Sequence, residues 1–231
     1  MKRPIAIAPG VHFWPGYLDM PAQLALVTEV FRLAQQAPFY HATMPRTGHP
    51  LSVGMTNFGP LGWYSDRFGG YRYEANHPVL GTPWPDIPTP LLNIWSDTTG
   101  YPAPPEACLV NLYRTTARMG LHRDEDEQDL DAPVVSVSLG DSAQFRFGPA
   151  RRRAATRTLT LNSGDVLVFG GPARLMFHGI DRVRADTSRM IPGGGRINLT
   201  LRRVTARKKE ATDQGGDRSP NALFALDTGR G

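Results

Sequence analysis

The 231-residue chain contains a single cysteine, Cys108. One thiol excludes an intramolecular disulfide and any thiolate-rich zinc or iron–sulfur centre within the chain. It lies in the apolar run ACLVNLY, where a buried, inert thiol is expected. No stretch approaches the roughly 20 apolar residues that cross a bilayer, so no membrane partner is expected. The N-terminal MKRPIAIAPGVHFWPGYL is basic and then apolar, but Pro4, Pro9, Gly10 and His12 interrupt it. It therefore reads as no secretory signal, and the cytoplasm is the expected location. Histidine is also scarce, at six residues, which narrows any search for metal ligands.

What the chain does have is glycine (24) and proline (21), which predict many turns and few long helices. At 40% hydrophobic it has enough apolar material for one compact domain. Residues 18–36 carry a helical stripe through Leu24, Leu26, Val27, Val30, Phe31 and Leu33. Asp19 is the expected cap, Pro21 fits the first turn, and Pro38 is the expected stop. A second helix is predicted over 86–99, with Leu91, Leu92 and Trp95 on one side. Residues 39–89 are rich in tyrosine, tryptophan, glycine and proline, with short strands expected at 51–57 and 71–74 and DRFGGYRY as a tight turn between them. From residue 106, the segments ACLVNLY, VVSVSLG, AQFRFG, TLTLNSGDVLVFG, ARLMFHG and RINLTLR read as short strands, implying a sandwich, jelly roll or barrel. Residues 205–231 are polar and aperiodic and read as a disordered tail.

The net charge of +5 admits a polyanionic partner without requiring one. Its distribution is uneven. Six carboxylates crowd Asp124 to Asp131, and arginines gather at 146–157 and again at 182–203.

The candidate chemistry starts at LHRDEDE, 121–127. In extended backbone His122 and Asp124 share a face and can reach one ion. His178, 56 residues later, ends the strand-like run ARLMFHG and supplies a second imidazole. Two histidines and a carboxylate leave open positions, as in non-haem Fe(II) oxygenases, although zinc accepts the same ligands. In RINLTLR, Arg196, Asn198, Thr200 and Arg202 fall on one face and Ile197, Leu199 and Leu201 on the other. The polar face either meets water or lines a cavity in which guanidinium groups clamp carboxylates. Asn111 and Tyr113 likewise share a face, suited to hydrogen-bonding a small acid or to finishing a polar strand.

The order of NLY (111–113), LHRDEDE (121–127), APVVSVSLG (132–140), FRFG (145–148), SGDVLVFGG (163–171), FHGI (177–180) and RINLTLR (196–202) resembles the bacterial AlkB family of Fe(II)/2-oxoglutarate dioxygenases. The resemblance extends over about residues 12–203 and includes SVGMTNFGPLGW, GYRY and PWPDIP upstream. It implies a mostly β fold with flanking helices, its core a double-stranded β-helix (jelly roll) over 90–204. A nucleotide-recognition lid would span 39–89, with 1–38 as a supporting segment. It implies that His122, Asp124 and His178 hold iron. Arg196, Asn111, Tyr113 and Asn198 would bind 2-oxoglutarate, and Arg202 would sit at the metal end. The implied reaction consumes 2-oxoglutarate and O2, yields succinate and CO2, and releases an N-methyl group of 1-methyladenine or 3-methylcytosine as formaldehyde. The implied partner is single-stranded DNA, with duplex DNA and RNA as further possibilities, acted on by a monomer.

The same resemblance assigns substrate contacts. Trp63 would stack on the damaged base with His122 opposite, Tyr71 would meet a phosphate, Asp126 and Glu127 would face the base, and Arg152 would border the nucleic-acid groove. Carboxylates beside a positively charged methylated base favour it over the undamaged one. Two departures stand out. DRFGGYRY is one residue longer than the familiar bacterial lid, and Glu125 puts an extra acid beside the iron ligand.

Overall fold

The computed structural model describes residues 3–114, 116–149, 151 and 154–207. Most of the expected tail, 208–231, therefore lies outside the described residues. The chain is mostly antiparallel β with two helices. Strands β1 (Ile5–Ala8) and β2 (Val11–Trp14) precede helix α1 (Met20–Leu33). Next come β3 (Gly54–Phe58), β4 (Gly62–Asp66), β5 (Gly70–Glu74) and helix α2 (Thr89–Thr99). The remaining strands are β6 (Ala107–Tyr113), β7 (Met119–His122), β8 (Val134–Gly140), β9 (Ala143–Gly148), β10 (Arg157–Leu161), β11 (Val166–Phe169), β12 (Phe177–Val183) and β13 (Arg196–Arg202).

These strands form a seven-stranded sheet in the order β1-β2-β11-β8-β13-β6-β3, a four-stranded sheet β10-β9-β12-β7, and the two-stranded hairpin β4-β5. Two apolar clusters define the layering. In the first, Leu26, Val27, Val30 and Leu33 of α1 and Leu91, Ile94 and Trp95 of α2 pack on one face of the large sheet, against Cys108, Val110, Leu112, Val135, Val137, Leu139, Ile197, Leu199 and Leu201. In the second, Val11, Phe13, Leu109, Leu167 and Phe169 from the opposite face of that sheet meet Ala143, Phe145, Phe147, Leu161 and Ile180 of the small sheet. Period-two alternation thus sends each large-sheet strand's side chains to two different layers. Cys108 is fully buried among them, as expected.

Several local expectations are corrected. Asp19 caps α1 by accepting from the Ala22 amide at 2.9 Å, but the helix ends at Leu33, five residues short of Pro38. Leu24 faces solvent, while Gln23 is buried and bonds the Leu18 carbonyl at 2.8 Å, so the apolar stripe is narrower than the sequence suggests. The DRFGG turn joins β4 to β5, not β3 to β5, and β3 pairs with β6 in the large sheet. Within residues 39–89, β3 therefore belongs to the large sheet while the β4–β5 hairpin is separate from it. The segment TLTLNSGDVLVFG splits into β10 and β11, which belong to different sheets. In ARLMFHG, the first residues precede the strand, and His178 lies at the start of β12 rather than at a strand end. Residues 1–38 hold more than support, because β2 pairs with β11 and extends the large sheet.

The small sheet needs one glycine for a close approach. A Cβ on Gly179 would lie 2.6 Å from the Met119 carbonyl oxygen and 2.8 Å from that of Gly120, both backbone atoms of β7. Those atoms can yield only if the strand moves. We expect Gly179→Ala to push β7 from β12 and cost roughly 1–3 kcal/mol, as overpacking does, lowering the thermal midpoint by about 2–10 °C in scanning calorimetry. A midpoint unchanged within experimental error would mean that β7 accommodates the methyl group.

Candidate active site

The β7–β12 pairing sets two histidines opposite one another. His122 and His178 are register partners with ring centroids 4.5 Å apart. Asp124 follows β7 immediately and brings a carboxylate between them. Its Oδ1 is 3.9 Å from His122 Nε2 and its Oδ2 is 3.8 Å from His178 Nε2. The three ligating atoms lie within 4.8 Å of one another. Each imidazole is oriented by its other nitrogen, since His122 Nδ1 donates to the Gly120 carbonyl at 2.9 Å and His178 Nδ1 to the Met176 carbonyl at 3.2 Å. Both Nε2 lone pairs are thereby presented to the same point, the usual arrangement of metal-bound histidine. Burial, reinforced by the neighbouring His122, pushes His178 down to about 4, so it is neutral and able to ligate at physiological pH.

Asp124 is buried and tied down. Arg202 Nη2 donates to its Oδ1 at 3.0 Å, while Oδ2 is buried without a hydrogen-bond partner. Burial, the largest single influence, opposes ionisation of this carboxyl, but the Arg202 charge and hydrogen bond together with the two histidines outweigh it and hold the group well below the ordinary carboxylate range. A buried, ionised oxygen aimed between two imidazoles is a donor set for a divalent cation.

On the inner face of the large sheet, β13 contributes Arg196, Asn198, Thr200 and Arg202, all buried. The sequence left open whether this face meets water; it does not. Arg196 is wholly inaccessible, and Nη2 donates to Ser138 Oγ at 3.0 Å while Nε and Nη1 have no partner. Desolvation lowers its pKa to about 10, still leaving it protonated. Tyr113, opposite Arg196 in register, and Asn111, opposite Asn198, share this face. Burial pushes the Tyr113 hydroxyl up to about 12, and Asn111 Oδ1 is unpartnered. Asn198 donates to Ser136 Oγ at 2.8 Å. Buried polar atoms are normally satisfied, so this cluster of unsatisfied polar atoms, the Arg196 donors and the Asn111 acceptor, marks a polar ligand's place.

The loop after Asp124 is held by residues that the sequence reading passed over. Arg174 donates to the carbonyls of Ala132 (2.8 Å) and Asp124 (2.5 Å) and to Glu127 Oε2 (2.9 Å). Tyr73 of β5 donates to Glu127 Oε1, and Arg202 Nε is 3.5 Å from that oxygen. Glu127 was expected against the base, but both its oxygens are already engaged inside the protein. The signal for Arg174 was a lone arginine in the apolar run ARLMFHG, which periodicity alone does not single out.

The hairpin brings Trp63 to the same loop. Its Nε1 donates to Asp126 Oδ2 at 2.9 Å, and its ring stacks on Tyr71 at 5.6 Å between centroids. Partial desolvation, with the nearby Glu127 charge, raises the Asp126 pKa even though the Trp63 hydrogen bond works the other way. Glu125 is offset by an ion pair with Arg123. Arg151 is exposed, and Arg152 and Arg153 lie outside the described residues. Among the described residues no helix is long and apolar enough to cross a membrane.

Comparison with known proteins agrees with this geometry. The family model described as "2OG-Fe(II) oxygenase superfamily" matches residues 10–202. The chain is 54% identical over 204 residues to the alpha-ketoglutarate-dependent dioxygenase AlkB homolog of Caulobacter vibrioides, covering 88% of this chain and 92% of that protein. It is 42% identical over 189 residues to the alpha-ketoglutarate-dependent dioxygenase AlkB of Escherichia coli strain K12, covering 80% and 85%. The solved structure of OsALKBH1 superposes with a TM-score of 0.75 at 30% identity, covering 87% of this chain and 99% of that one. The chain therefore belongs to the 2OG-Fe(II) oxygenase superfamily as an AlkB-type dioxygenase, using Fe(II), 2-oxoglutarate and O2 with His122, Asp124 and His178 as its iron-binding triad.

Proposed function

We propose that this protein removes N-methyl groups from 1-methyladenine and 3-methylcytosine in single-stranded DNA, with duplex DNA and RNA as secondary substrates, and that it acts as a monomer. The carrying observation is Arg196, a wholly buried guanidinium with two unpartnered N–H groups on a strand that also reaches the iron triad. An unpaired buried cation is expensive, and an incoming carboxylate would remove that cost. The two facing antiparallel sheets we read as a jelly-roll core over residues 90–204, and 39–89 as its lid, with β3 shared between them.

In this reading Arg196 takes the distal carboxylate of 2-oxoglutarate through Nε and Nη1. Tyr113 and Asn111 supply neutral hydrogen bonds, and Asn198 lines the same pocket. Arg202 holds Asp124 ionised at the metal end. When bound, Fe(II) couples decarboxylation of 2-oxoglutarate by O2 to hydroxylation of the N-methyl carbon, giving succinate, CO2 and, once the N-hydroxymethyl group breaks down, formaldehyde. The protein's own task is placement. Trp63 offers one face to the target base, with His122 on the far side. Asp126, fixed by the indole N–H, sets a carboxylate beside a base whose methylation makes it cationic, so Coulomb attraction favours damaged over undamaged bases. Tyr71 backs Trp63 and borders a phosphate. Glu127 acts from behind, keeping the Asp124–Asp126 loop in place. A single strand delivers the base without the cost of unpairing it, which favours that substrate.

The direct test loads the protein anaerobically with Fe(II) and 2-oxoglutarate, then admits oxygen with DNA and RNA oligomers carrying either lesion. We expect mass loss of one methyl group, fastest for single-stranded DNA; methylated oligomers recovered intact while succinate accumulates would overturn the assignment. Arg196→Gln is expected to raise the KM for 2-oxoglutarate about 10–100-fold, the scale of a lost charge-assisted hydrogen bond. Steady-state succinate assays check it, and an unchanged KM would remove Arg196 from the cosubstrate pocket. Trp63→Ala should weaken demethylation of oligomers by about tenfold or more while calorimetric 2-oxoglutarate affinity holds. The reverse pattern would exclude Trp63 from the base slot.

A further inference from the structure

The lid hairpin carries a side chain that neither the core nor the iron site uses. Phe68, in the turn between β4 and β5, is 99% exposed. The turn that presents it is braced. Asp66 Oδ1 accepts from the amides of Phe68 (2.8 Å) and Gly69 (2.6 Å), and its Oδ2 accepts from Arg72 Nη2 at 2.8 Å. Arg72 also donates to Glu74 at 2.5 Å and lies 4.8 Å over the Tyr64 ring. Gly70, at φ +67°, supplies the left-handed residue that closes the turn. A large apolar ring is thus held outward on a pre-organised tip, at the cost of its hydration.

Its surroundings indicate what would cover it. Arg67 is exposed beside it, and a Cβ on Gly48 would lie 3.5 Å from Arg67 Cδ, so the tip adjoins the turn that carries exposed Met44 and Arg46. Among the described residues, no ion pair engages Arg46 or Arg67. Tyr71, 55% exposed and stacked on Trp63, lies between the tip and the base slot. A lone aromatic face among unpaired guanidiniums, on the element that bears the stacking tryptophan, matches alternating bases and phosphates better than an apolar protein surface.

We propose that Phe68 is a stacking platform for an undamaged base within about two nucleotides of the one in the Trp63 slot, with Arg67 and Arg46 meeting the intervening phosphates. The spacing is suitable. The tip is five residues from Trp63, at most about 17 Å along the hairpin, a reach that about two to three nucleotides of extended, unstacked single strand cover. Phe68 lies past the end of the β4–β5 ladder, whose last pair is Asp66–Gly70. The proposal rests on the reading that a base enters beside Trp63.

The test compares two single-stranded DNA oligomers with one 1-methyladenine each, one unmodified and one with abasic sugars at the two nucleotides on either side. Phe68→Ala should raise KM for the unmodified oligomer about tenfold with kcat within about twofold, and Phe68→Trp should restore it. Wild-type protein should show the same raised KM on the abasic-flanked oligomer, where Phe68→Ala should add nothing. An equal KM for wild type and Phe68→Ala on the unmodified oligomer, or an equal loss on both oligomers, would overturn the platform while leaving the base slot standing. Absence of demethylation of either oligomer by the wild-type protein would overturn the base slot and the platform with it. The side chain is almost fully exposed, so these substitutions do not threaten the fold.

Discussion

The structure depends on the burial of two guanidinium groups on one strand. β13 crosses the middle of the seven-stranded sheet with both faces covered, its Ile197, Leu199 and Leu201 against the helices and its Arg196 and Arg202 between the sheets. Charges taken from water must be paired there or be severely destabilising. Arg202 is paired, with Asp124 at 3.0 Å and Glu127 at 3.5 Å. Arg196 has only a serine hydroxyl. That asymmetry orders the site: one arginine holds the metal-ligating carboxylate from behind, and the other keeps two nitrogens without a hydrogen-bond partner.

Around Arg202 the polar contacts form a continuous buried chain. Tyr73 on the lid hairpin reaches Glu127, Glu127 meets Arg174 and Arg202, Arg202 holds Asp124, and Asp124 faces both histidines. Arg174 also clamps the backbone of the same loop at Asp124 and at Ala132, eight residues apart in sequence. A loop without regular secondary structure is thereby fixed as firmly as a strand, which a metal ligand requires. The same chain ties the hairpin carrying Trp63 and Tyr71 to the metal site, so the lid and the reactive centre share one rigid support.

Much of this was legible in the sequence because it rests on period-two alternation. RINLTLR separates its arginine face from its apolar face by simple counting, and Asn111 and Tyr113 share a face of NLY by the same rule. His122 and Asp124, two residues apart, also obey that rule. What the sequence did not convey depends on pairing across the chain. His178 faces His122 only because β12 registers against β7, and the close approach of Gly179 that permits it involves residues about 60 positions apart. Glu127 looks like a pocket acid among its acidic neighbours. Only the positions of Arg174 and Tyr73 turn it inward, and a lone arginine in an apolar run carries no periodic signature. The strands β1 and β2 escaped notice for a related reason. Four residues each, broken by Pro9 and Gly10, they gain their stability from the β11 edge rather than from their own pattern.

The charge balance of the buried centre also bears on the order in which it fills. Arg174 and Arg202 face Asp124 and Glu127 while His178 stays neutral, and Arg196 stands apart, with the buried Asp165 as the carboxylate whose charge reaches it. Arg196 makes no ion pair among the described residues. Under the proposed function, a divalent iron ion at the triad would add positive charge, and a dicarboxylate reaching Arg196 would offset it. In a low-dielectric interior each of these charges is felt strongly by the others. Under that reading iron would favour the cosubstrate and the cosubstrate iron, with equal coupling in both directions because linkage is reciprocal. Asp126, which the proposed function sets beside the cationic methylated base, lies at the exposed end of the same loop, outside this buried balance. Separating the two electrostatic tasks along one short acidic segment, inward at Asp124 and Glu127 and outward at Asp126, lets selectivity for damaged bases act without disturbing the charge that holds the metal.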